Sequence, residues 1–267
     1  MSYDINIHDI FNSTIQNPES FSVSIVDLVD MPNVHNLLNI GCKDGSIALS
    51  LLNRNRSANI VAIDSDNDNI EIARIRYLDM MSWLHEYADT NFEGHIDFIC
   101  MDMTQMPFHN KFDLVLSNQA IQHSPDPSLT YQQIYDSLEF GGSFISVQSS
   151  DLTFAGLHQN VQRAIHALGY DDYYPEKFTV DWYPSDVEVI SLLQDVGFKN
   201  IGVTYQCSTI SIAMISAIDF ANNQLLQYRN ENITDDMFSK IKEVFLDISA
   251  RHGFDTRNCD LLIKATK

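Results

Sequence analysis

The chain has 267 residues, of which 45% are hydrophobic and 19% are charged, and this balance is typical of a globular protein with a buried core. Sixteen basic residues against 36 acidic ones give a formal net charge of −20, which repels phosphate backbones and anionic lipid surfaces. We therefore expect no nucleic acid and no membrane as a partner, and a small molecule as the ligand.

Short apolar runs alternate with longer helical patterns through the first half of the chain. Apolar strands separated by amphipathic helices indicate parallel strands that are buried on both faces. Right-handed crossovers between such strands give an open, doubly wound, Rossmann-like α/β sheet. The predicted strands are His35–Ile40, Asn59–Ile63, Ile96–Cys100, Phe112–Ser117 and Ser143–Gln148, and the predicted helices are Ser46–Leu52, Asn69–Tyr87 and Ser128–Leu138.

The second half of the chain predicts more helix than strand. Ser185–Val196 is a predicted helix, with Ser185 as its N-cap and Gly197 just beyond its end. Residues 1–30 carry apolar residues without a clean period, and we expect them to cover the sheet edge or a ligand. The remaining predicted elements are the strands Lys199–Tyr205 and Cys259–Thr266 and the helices Ile210–Tyr228 and Asp235–His252.

The cysteines and the N-terminus indicate the compartment. The cysteines lack the CxxC or Cys/His spacing of a zinc site, so we expect no metal, no disulfide framework and reduced thiols. The N-terminus has no cationic start followed by an apolar run, and no stretch has the length of a membrane span. The sequence thus predicts a cytoplasmic protein. The four cysteines are Cys42, Cys100, Cys207 and Cys259.

The turn after the first predicted strand is a candidate ligand site. Gly41 and Gly45 let the backbone approach a ligand closely, with the N–H groups of the next helix facing it. These two glycines do not form the G-x-G-x-x-G of a dinucleotide site, and a tight strand-to-helix turn explains them equally well. Asp64 ends the second strand, beside this turn, where a carboxylate can accept hydrogen bonds from both hydroxyls of a ribose.

Polar residues also follow the third and fourth predicted strands. Asp102 is placed to accept a hydrogen bond from an exocyclic amine such as adenine N6, with Met101 or Met103 lying against the ring. The alternative for Asp102 is a solvated loop residue. Ser117 and Asn118 end the fourth strand at the topological switch point, where ligands of doubly wound sheets bind.

Five stretches, in this order, resemble the motifs of class I S-adenosylmethionine-dependent methyltransferases: Leu38–Gly45, Asp64, Asp102, Phe112–Val115 and Gly141-Gly142. The resemblance implies S-adenosylmethionine as the cofactor and a seven-stranded sheet, parallel with an antiparallel last strand, under a helical cap. The cofactor-binding residues that it implies are Asn39, Gly41, Cys42, Gly45, Asp64, Ser65, Asp102, Met103, Ser117 and Asn118.

Two residues depart from the family pattern. The family usually has an acidic residue where Asn39 stands and a third glycine where Lys43 stands. Asn39 can still accept a hydrogen bond from the methionine amino group through its amide oxygen, but without the charge. These departures leave an alternative open, in which the chain is a non-catalytic partner or scaffold that binds S-adenosylmethionine or S-adenosylhomocysteine.

The segment Ser117–Asp126 is similar to the stretch after strand four in small-acid carboxyl methyltransferases, which act on trans-aconitate, juvenile hormone acid or malonyl carrier protein. The resemblance implies O-methylation of a small molecule, with a carboxylate as one form of the acceptor, and catalytic roles for Gln122 and His123. The family usually has Trp at the His123 position. His123 has three interpretations: a structural residue bonded to backbone, a donor that orients an anionic group, or a general base.

The resemblance also divides the chain, which we expect to be a single domain and a monomer or homodimer. Residues 1–30 form the cover, 36–150 the cofactor-binding core, 151–258 the cap helices with strand six, and 259–267 the last strand. An aromatic cluster in the cap either packs the cap or lines an apolar acceptor pocket. Its members are Tyr170, Tyr173, Tyr174, Phe178, Trp182 and Tyr183.

Overall fold

A computed structural model describes residues 24–87, 93–174, 182–209, 225–226, 228–253 and 257–267. Three predictions fall wholly or largely outside these ranges. They are the cover formed by residues 1–30, of which only residues 24–30 are described, the helix Ile210–Tyr228, and the aromatic residue Phe178.

The core of the fold is one sheet of seven strands in the order β3-β2-β1-β4-β5-β7-β6. Strands β1 to β5 pair in parallel, whereas β7 is antiparallel to both β5 and β6, so six strands share one direction. This arrangement confirms the predicted fold class. The strands are β1 Asn36–Ile40, β2 Asn59–Asp64, β3 His95–Cys100, β4 Phe112–Asn118, β5 Leu138–Ser149, β6 Lys199–Thr209 and β7 Arg257–Thr266.

Six α-helices lie within the described ranges, and their ends follow ordinary capping rules. The Ser185 side chain and the Glu188 side chain form a capping box at the start of the fifth helix, and Gly197 ends that helix in the left-handed region. The helices are α1 Ser46–Arg54, α2 Asn67–Tyr87, α3 Pro127–Ser137, α4 Ala155–Ala167, α5 Asp186–Val196 and α6 Asp235–His252.

Helices cover both faces of the sheet, so the strands are buried on both sides. One apolar cluster joins α1 and α2 to one face, and a second joins α3 and α5 to the other. A third cluster packs α4 against α6, away from the sheet. The alternation of strands and helices in the sheet core did not predict helix α4, because its apolar residues belong to this separate cluster.

The observed elements differ from the predicted ones at the β5 and β7 edge. Strand β5 begins at Leu138 rather than at Ser143, because a register shift against β4 lets the Gly141-Gly142 pair lie inside the strand. None of the helices in the described ranges combines the length and the apolar character needed to cross a bilayer.

The expectation that all four cysteines are reduced thiols is wrong for one pair. Cys207 of β6 and Cys259 of β7 are joined by a disulfide, since they are direct partners in the antiparallel register of the two strands. Cys42 and Cys100 remain free thiols. Burial raises the pKa of the Cys42 thiol to about 12, so this side chain behaves as a small apolar group rather than as a nucleophile.

Candidate functional site

A cavity of about 250 Å³ lies where the carboxyl ends of β1, β2 and β4 meet the loop after β3. This edge is where ligands of doubly wound sheets bind, because the crossovers on either side of β1 diverge there. The residues lining the cavity are Ile40, Gly41, Lys43, Ile63, Asp64, Ser65, Asn69, Met101, Met103, Gln119, Ala120 and His123.

The loop between β1 and α1 forms one wall of the cavity in a backbone conformation that favours glycine. Gly41 has a φ of +67°, and a Cβ atom at this position would lie 2.2 Å from the Cβ of Ala120. Lys43, where the resembled family has a glycine, also adopts the left-handed region, at φ +48°. The loop therefore has the backbone conformation of a glycine-rich turn, although Lys43 stands at one of the glycine positions.

Polar contacts hold this loop in place. Arg76 of α2 forms an ion pair with the Asp44 carboxylate, and the same guanidinium nitrogen donates to the Ser46 hydroxyl at 2.8 Å. Asp44 in turn accepts from the Ser46 hydroxyl at 2.8 Å. The Arg76 side chain is 20% exposed and the Asp44 side chain 49%, so water partly screens this pair, and it acts mainly by fixing the position of the loop.

Asp64 joins the loop to the end of β2. Its Oδ2 accepts a hydrogen bond from the backbone N–H of Lys43 at 2.8 Å, and its Oδ1 accepts from the N–H of Asp66 and the amide of Asn69. The side chain is largely buried, although it lies at the end of β2 and lines the cavity. A carboxylate accepts about four hydrogen bonds, which leaves about one position on Oδ2 for a ligand.

The loop after β3 supplies an apolar wall and a second carboxylate. Met101 and Met103 line the cavity, while Asp102 between them does not. The Asp102 Oδ1 accepts from both the N–H and the hydroxyl of Thr104 at 2.8 Å. Since both of these bonds go to Oδ1, the described contacts of this carboxylate leave Oδ2 available for a hydrogen-bond donor.

The segment after β4 contributes the opposite wall. Gln119 has a φ of +53°, an uncommon value for a residue with a side chain, and its N–H donates to the Val147 carbonyl at 2.7 Å. Gln122 is buried and donates from Nε2 to the Gln119 Oε1 at 2.7 Å. His123 is exposed and lines the cavity.

The predicted site residues separate into two groups. Gly41, Asp64, Ser65, Met103 and His123 line the cavity. The others lie behind its wall or beside it. They are Asn39, Cys42, Gly45, Asp102, Ser117, Asn118 and Gln122.

Asn39 is the most unusual of the residues behind the wall. Its side chain is fully buried, and neither its Oδ1 nor its Nδ2 has a hydrogen-bond partner in the part of the chain that the structure describes. An amide that is buried without hydrogen-bond partners lowers the stability of the fold. A polar group that bonded to Asn39 would recover part of that free energy.

Three cavity residues carry polar side chains that sequence reasoning did not assign to the site: Lys43, Asn69 and Gln119. Lys43 was noted only as a departure from the glycine pattern. Asn69 lies five residues after Asp64, in the first turn of α2, and its amide donates to the Asp64 Oδ1. The left-handed backbone of Gln119 has no sequence signal, because residues other than glycine rarely adopt it.

Within the described ranges, a backbone hydrogen bond joins the aromatic cap to the site. The N–H of Trp182 donates to the Gln122 carbonyl at 2.7 Å, so the cap touches the segment that carries His123. Next to Trp182, the Tyr183 ring lies 6.0 Å from the His158 ring, and His158 Nδ1 is 2.5 Å from the Tyr228 hydroxyl. Burial lowers the pKa of His158 and raises that of Tyr228, which favours their neutral forms.

A family model described as a methyltransferase domain matches residues 34–179, more than half of the chain. The chain is 29% identical over 154 residues to malonyl-[acyl-carrier protein] O-methyltransferase from Acetivibrio thermocellus, a match that covers 57% of this chain and 50% of that protein. It is 27% identical over 124 residues to 24-methylenesterol C-methyltransferase 2 from Arabidopsis thaliana, covering 46% of this chain and 31% of that protein. The matches thus span half or less of these relatives.

Solved structures share the fold at low sequence identity. A Bacillus halodurans C-125 protein matches with a TM-score of 0.56 at 16% identity, covering 91% of this chain and 96% of that one. Phosphoethanolamine N-methyltransferase 2 from Haemonchus contortus, solved in complex with S-adenosyl-L-methionine, matches with a TM-score of 0.50 at 15% identity, covering 87% of this chain and 48% of that one. At this identity the likeness shows the fold alone.

Proposed function

Because this chain belongs to the family of methyltransferase domains, we propose that it transfers a methyl group from S-adenosylmethionine to an oxygen atom of a small molecule. The observation that carries the proposal is the cavity at the carboxyl ends of β1, β2 and β4, with Asp64 and the left-handed loop on one wall and His123 on the other. In this proposal residues 36–150 hold the cofactor and residues 151–258 cover the acceptor.

The residues of the cavity fit the cofactor. The wall at Gly41 is formed by the left-handed backbone of this loop, whose side-chain direction is filled by Ala120. The remaining position on Asp64 Oδ2 suits a ribose hydroxyl, and the thioethers of Met101 and Met103 suit an adenine face. The Lys43 ammonium group, on the same wall, suits the carboxylate of the methionine part.

S-Adenosylmethionine supplies, when bound, an electrophilic methyl group on a positively charged sulfur. The protein's part is to align the acceptor oxygen with that methyl group and to exclude water. A carboxylate acceptor, which the resemblance to small-acid methyltransferases favours, is already ionised and needs only to be positioned. A hydroxyl acceptor has to lose a proton, and the imidazole of His123 on the cavity wall can accept one.

One observation favours a second candidate function. The uncharged Asn39 amide stands where the resembled family has an acid, and it has no partner among the described residues. A chain that binds S-adenosylhomocysteine or S-adenosylmethionine without transferring the methyl group would be a partner or scaffold for another protein.

Two measurements test the proposal. Calorimetry with S-adenosylhomocysteine and with NAD should give binding of the first ligand only, and binding of NAD alone would contradict the cofactor assignment. The protein should then be incubated with S-adenosylmethionine and a metabolite extract, and mass spectrometry should find a product heavier than its precursor by one methylene unit. Binding without any such product would favour the scaffold.

A further inference from the structure

Lys43 brings a positive charge to the cavity in a chain whose formal net charge is −20. The residue lines the cavity and is exposed, and its ammonium group has no ion-pair or hydrogen-bond partner in the part of the chain that the structure describes. Arg76, behind the same loop, is by contrast paired with Asp44. The charge of Lys43 is therefore available to an anionic group of a ligand.

The backbone fixes the point from which the Lys43 side chain extends. Its N–H donates to the Asp64 Oδ2 at 2.8 Å, and its φ of +48° continues the turn that begins at Gly41. The ammonium group is carried on a flexible four-carbon stem, which can follow a ligand across the cavity. A ligand whose ribose bonds to Asp64 therefore has its other substituents within reach of Lys43.

Acidic side chains, which would hold an ammonium group of the ligand, are scarce on the cavity wall. Of the lining residues in the described ranges, Asp64 alone is acidic. Its oxygens already accept bonds from the N–H groups of Lys43 and Asp66 and from the Asn69 amide. The proposed function assigns its remaining position to a ribose hydroxyl. This carboxylate is therefore already in use, and it is not left to pair with the amino group of the ligand.

The amide side chains near the cavity do not replace the missing acid. The Oε1 of Gln119 accepts from Gln122 at 2.7 Å and from Ser149 at 3.1 Å, and the Asp260 carboxylate faces the same side chain. The Asn39 amide is fully buried and does not line the cavity. The described wall thus offers a positive charge to a carboxylate and no comparable partner to an ammonium group.

We infer that Lys43 is the specificity-determining residue for the amino-acid end of the cofactor, which the site recognises by its carboxylate and not by its ammonium group. This inference rests on the proposed function and deepens it. Lys43 acts by direct contact, in an ion pair with hydrogen bonds to the carboxylate oxygens. A ligand that keeps the carboxylate and lacks the amine is then bound much better than a ligand with the reverse change.

The test uses two analogues of S-adenosylhomocysteine, one without the α-amino group and one without the carboxylate. Each is titrated by calorimetry at low salt into the full-length protein, after S-adenosylhomocysteine itself. The variant is Lys43→Met, which keeps the length of the side chain and removes its charge. The matched control is Lys264→Met, since Lys264 is an exposed residue of β7 that does not line the cavity.

We expect the wild-type protein and Lys264→Met to bind the carboxylate analogue about fivefold or more tightly than the amine analogue, a moderate ratio because water partly screens an exposed lysine. In Lys43→Met this ratio should fall below about twofold, since the charge that separates the two ligands is gone. Equal binding of the two analogues by the wild-type protein, or tighter binding of the amine, would overturn the inference. A ratio that persists in Lys43→Met would overturn it as well.

A third ligand, 5′-methylthioadenosine, separates the charge of Lys43 from its effect on the shape of the loop. It lacks both the carboxylate and the amine, so the wild-type protein and Lys43→Met should bind it equally. A loss of affinity in Lys43→Met as large for this ligand as for S-adenosylhomocysteine would contradict the inference. A wild-type protein that does not bind S-adenosylhomocysteine would instead contradict the proposed function.

Discussion

The two walls of the cavity differ in how their polar groups are satisfied. On the β1 and β2 side the carboxylates are paired within the protein, Asp44 with Arg76 and Asp64 with the backbone of the loop. On the β4 and β5 side the contacts are between neutral side chains, since Gln122 Nε2 and the Ser149 hydroxyl both donate to the Gln119 Oε1. The first wall is thus held by charged groups and the second by neutral ones, and the buried Asn39 amide behind the first wall has no partner among the described residues.

This difference matches the two tasks that we propose. A cofactor common to a whole family can be bound by a wall that backbone conformation and local hydrogen bonds determine. The acceptor differs between members of the family, as the carrier-protein O-methyltransferase and sterol C-methyltransferase relatives illustrate by their names. In our proposal the acceptor is covered by the cap, residues 151–258.

The largest effect is expected for Gly41→Ala, which tests whether the first wall is fixed by packing. Its Cβ would collide with that of Ala120, at 2.2 Å, and the left-handed backbone adds further strain. We expect a loss of about 2–4 kcal/mol in the free energy of unfolding, measured by urea denaturation, together with weaker S-adenosylhomocysteine binding. Adding Ala120→Gly should restore most of that loss, and a double variant no more stable than Gly41→Ala would contradict the packing explanation.

His123→Gln comes next and tests the chemistry at the second wall. If the acceptor is a hydroxyl and His123 removes its proton, the change should lower kcat by about 10²-fold or more, because Gln cannot accept a proton. The wild-type kcat should fall on acidification and that of the variant should not. A variant that keeps most of kcat would favour the carboxylate acceptor, for which His123 only positions the substrate.

Reduction of the Cys207–Cys259 disulfide should affect stability and not cofactor binding. The bond links residues 52 positions apart at the far edge of the sheet, and Cys207→Ser should therefore lower the free energy of unfolding by roughly 2–4 kcal/mol. The affinity for S-adenosylhomocysteine should stay within twofold, because the first wall lies on β1 and β2. The check is thermal unfolding and calorimetry without reductant, and a large loss of affinity would show that the two walls are coupled.

The first wall was largely predictable from the sequence and the second was not. Gly41, Asp64 and Met103 follow directly from strand ends that the apolar pattern locates, and the match to the methyltransferase-domain family confirms the resemblance built on them. Asp260 belongs to the last strand of the chain, and its position beside Gln119 depends on the β5 and β7 register, which a strand pattern does not specify. The disulfide was missed for the same reason.

The most direct test compares S-adenosylhomocysteine binding after substitution of Asp64, which lines the cavity, and of Asp260, a buried carboxylate of β7 that does not. Calorimetry should be performed on Asp64→Asn and Asp260→Asn beside the wild-type protein. Asp64→Asn should weaken binding at least tenfold, because it loses a charge-assisted hydrogen bond to the ligand and disturbs the bond to Lys43 N–H. Asp260→Asn should bind within twofold of the wild-type protein. Unchanged affinity in Asp64→Asn, or a comparable loss in both variants, would contradict the assignment of Asp64 to the cofactor site.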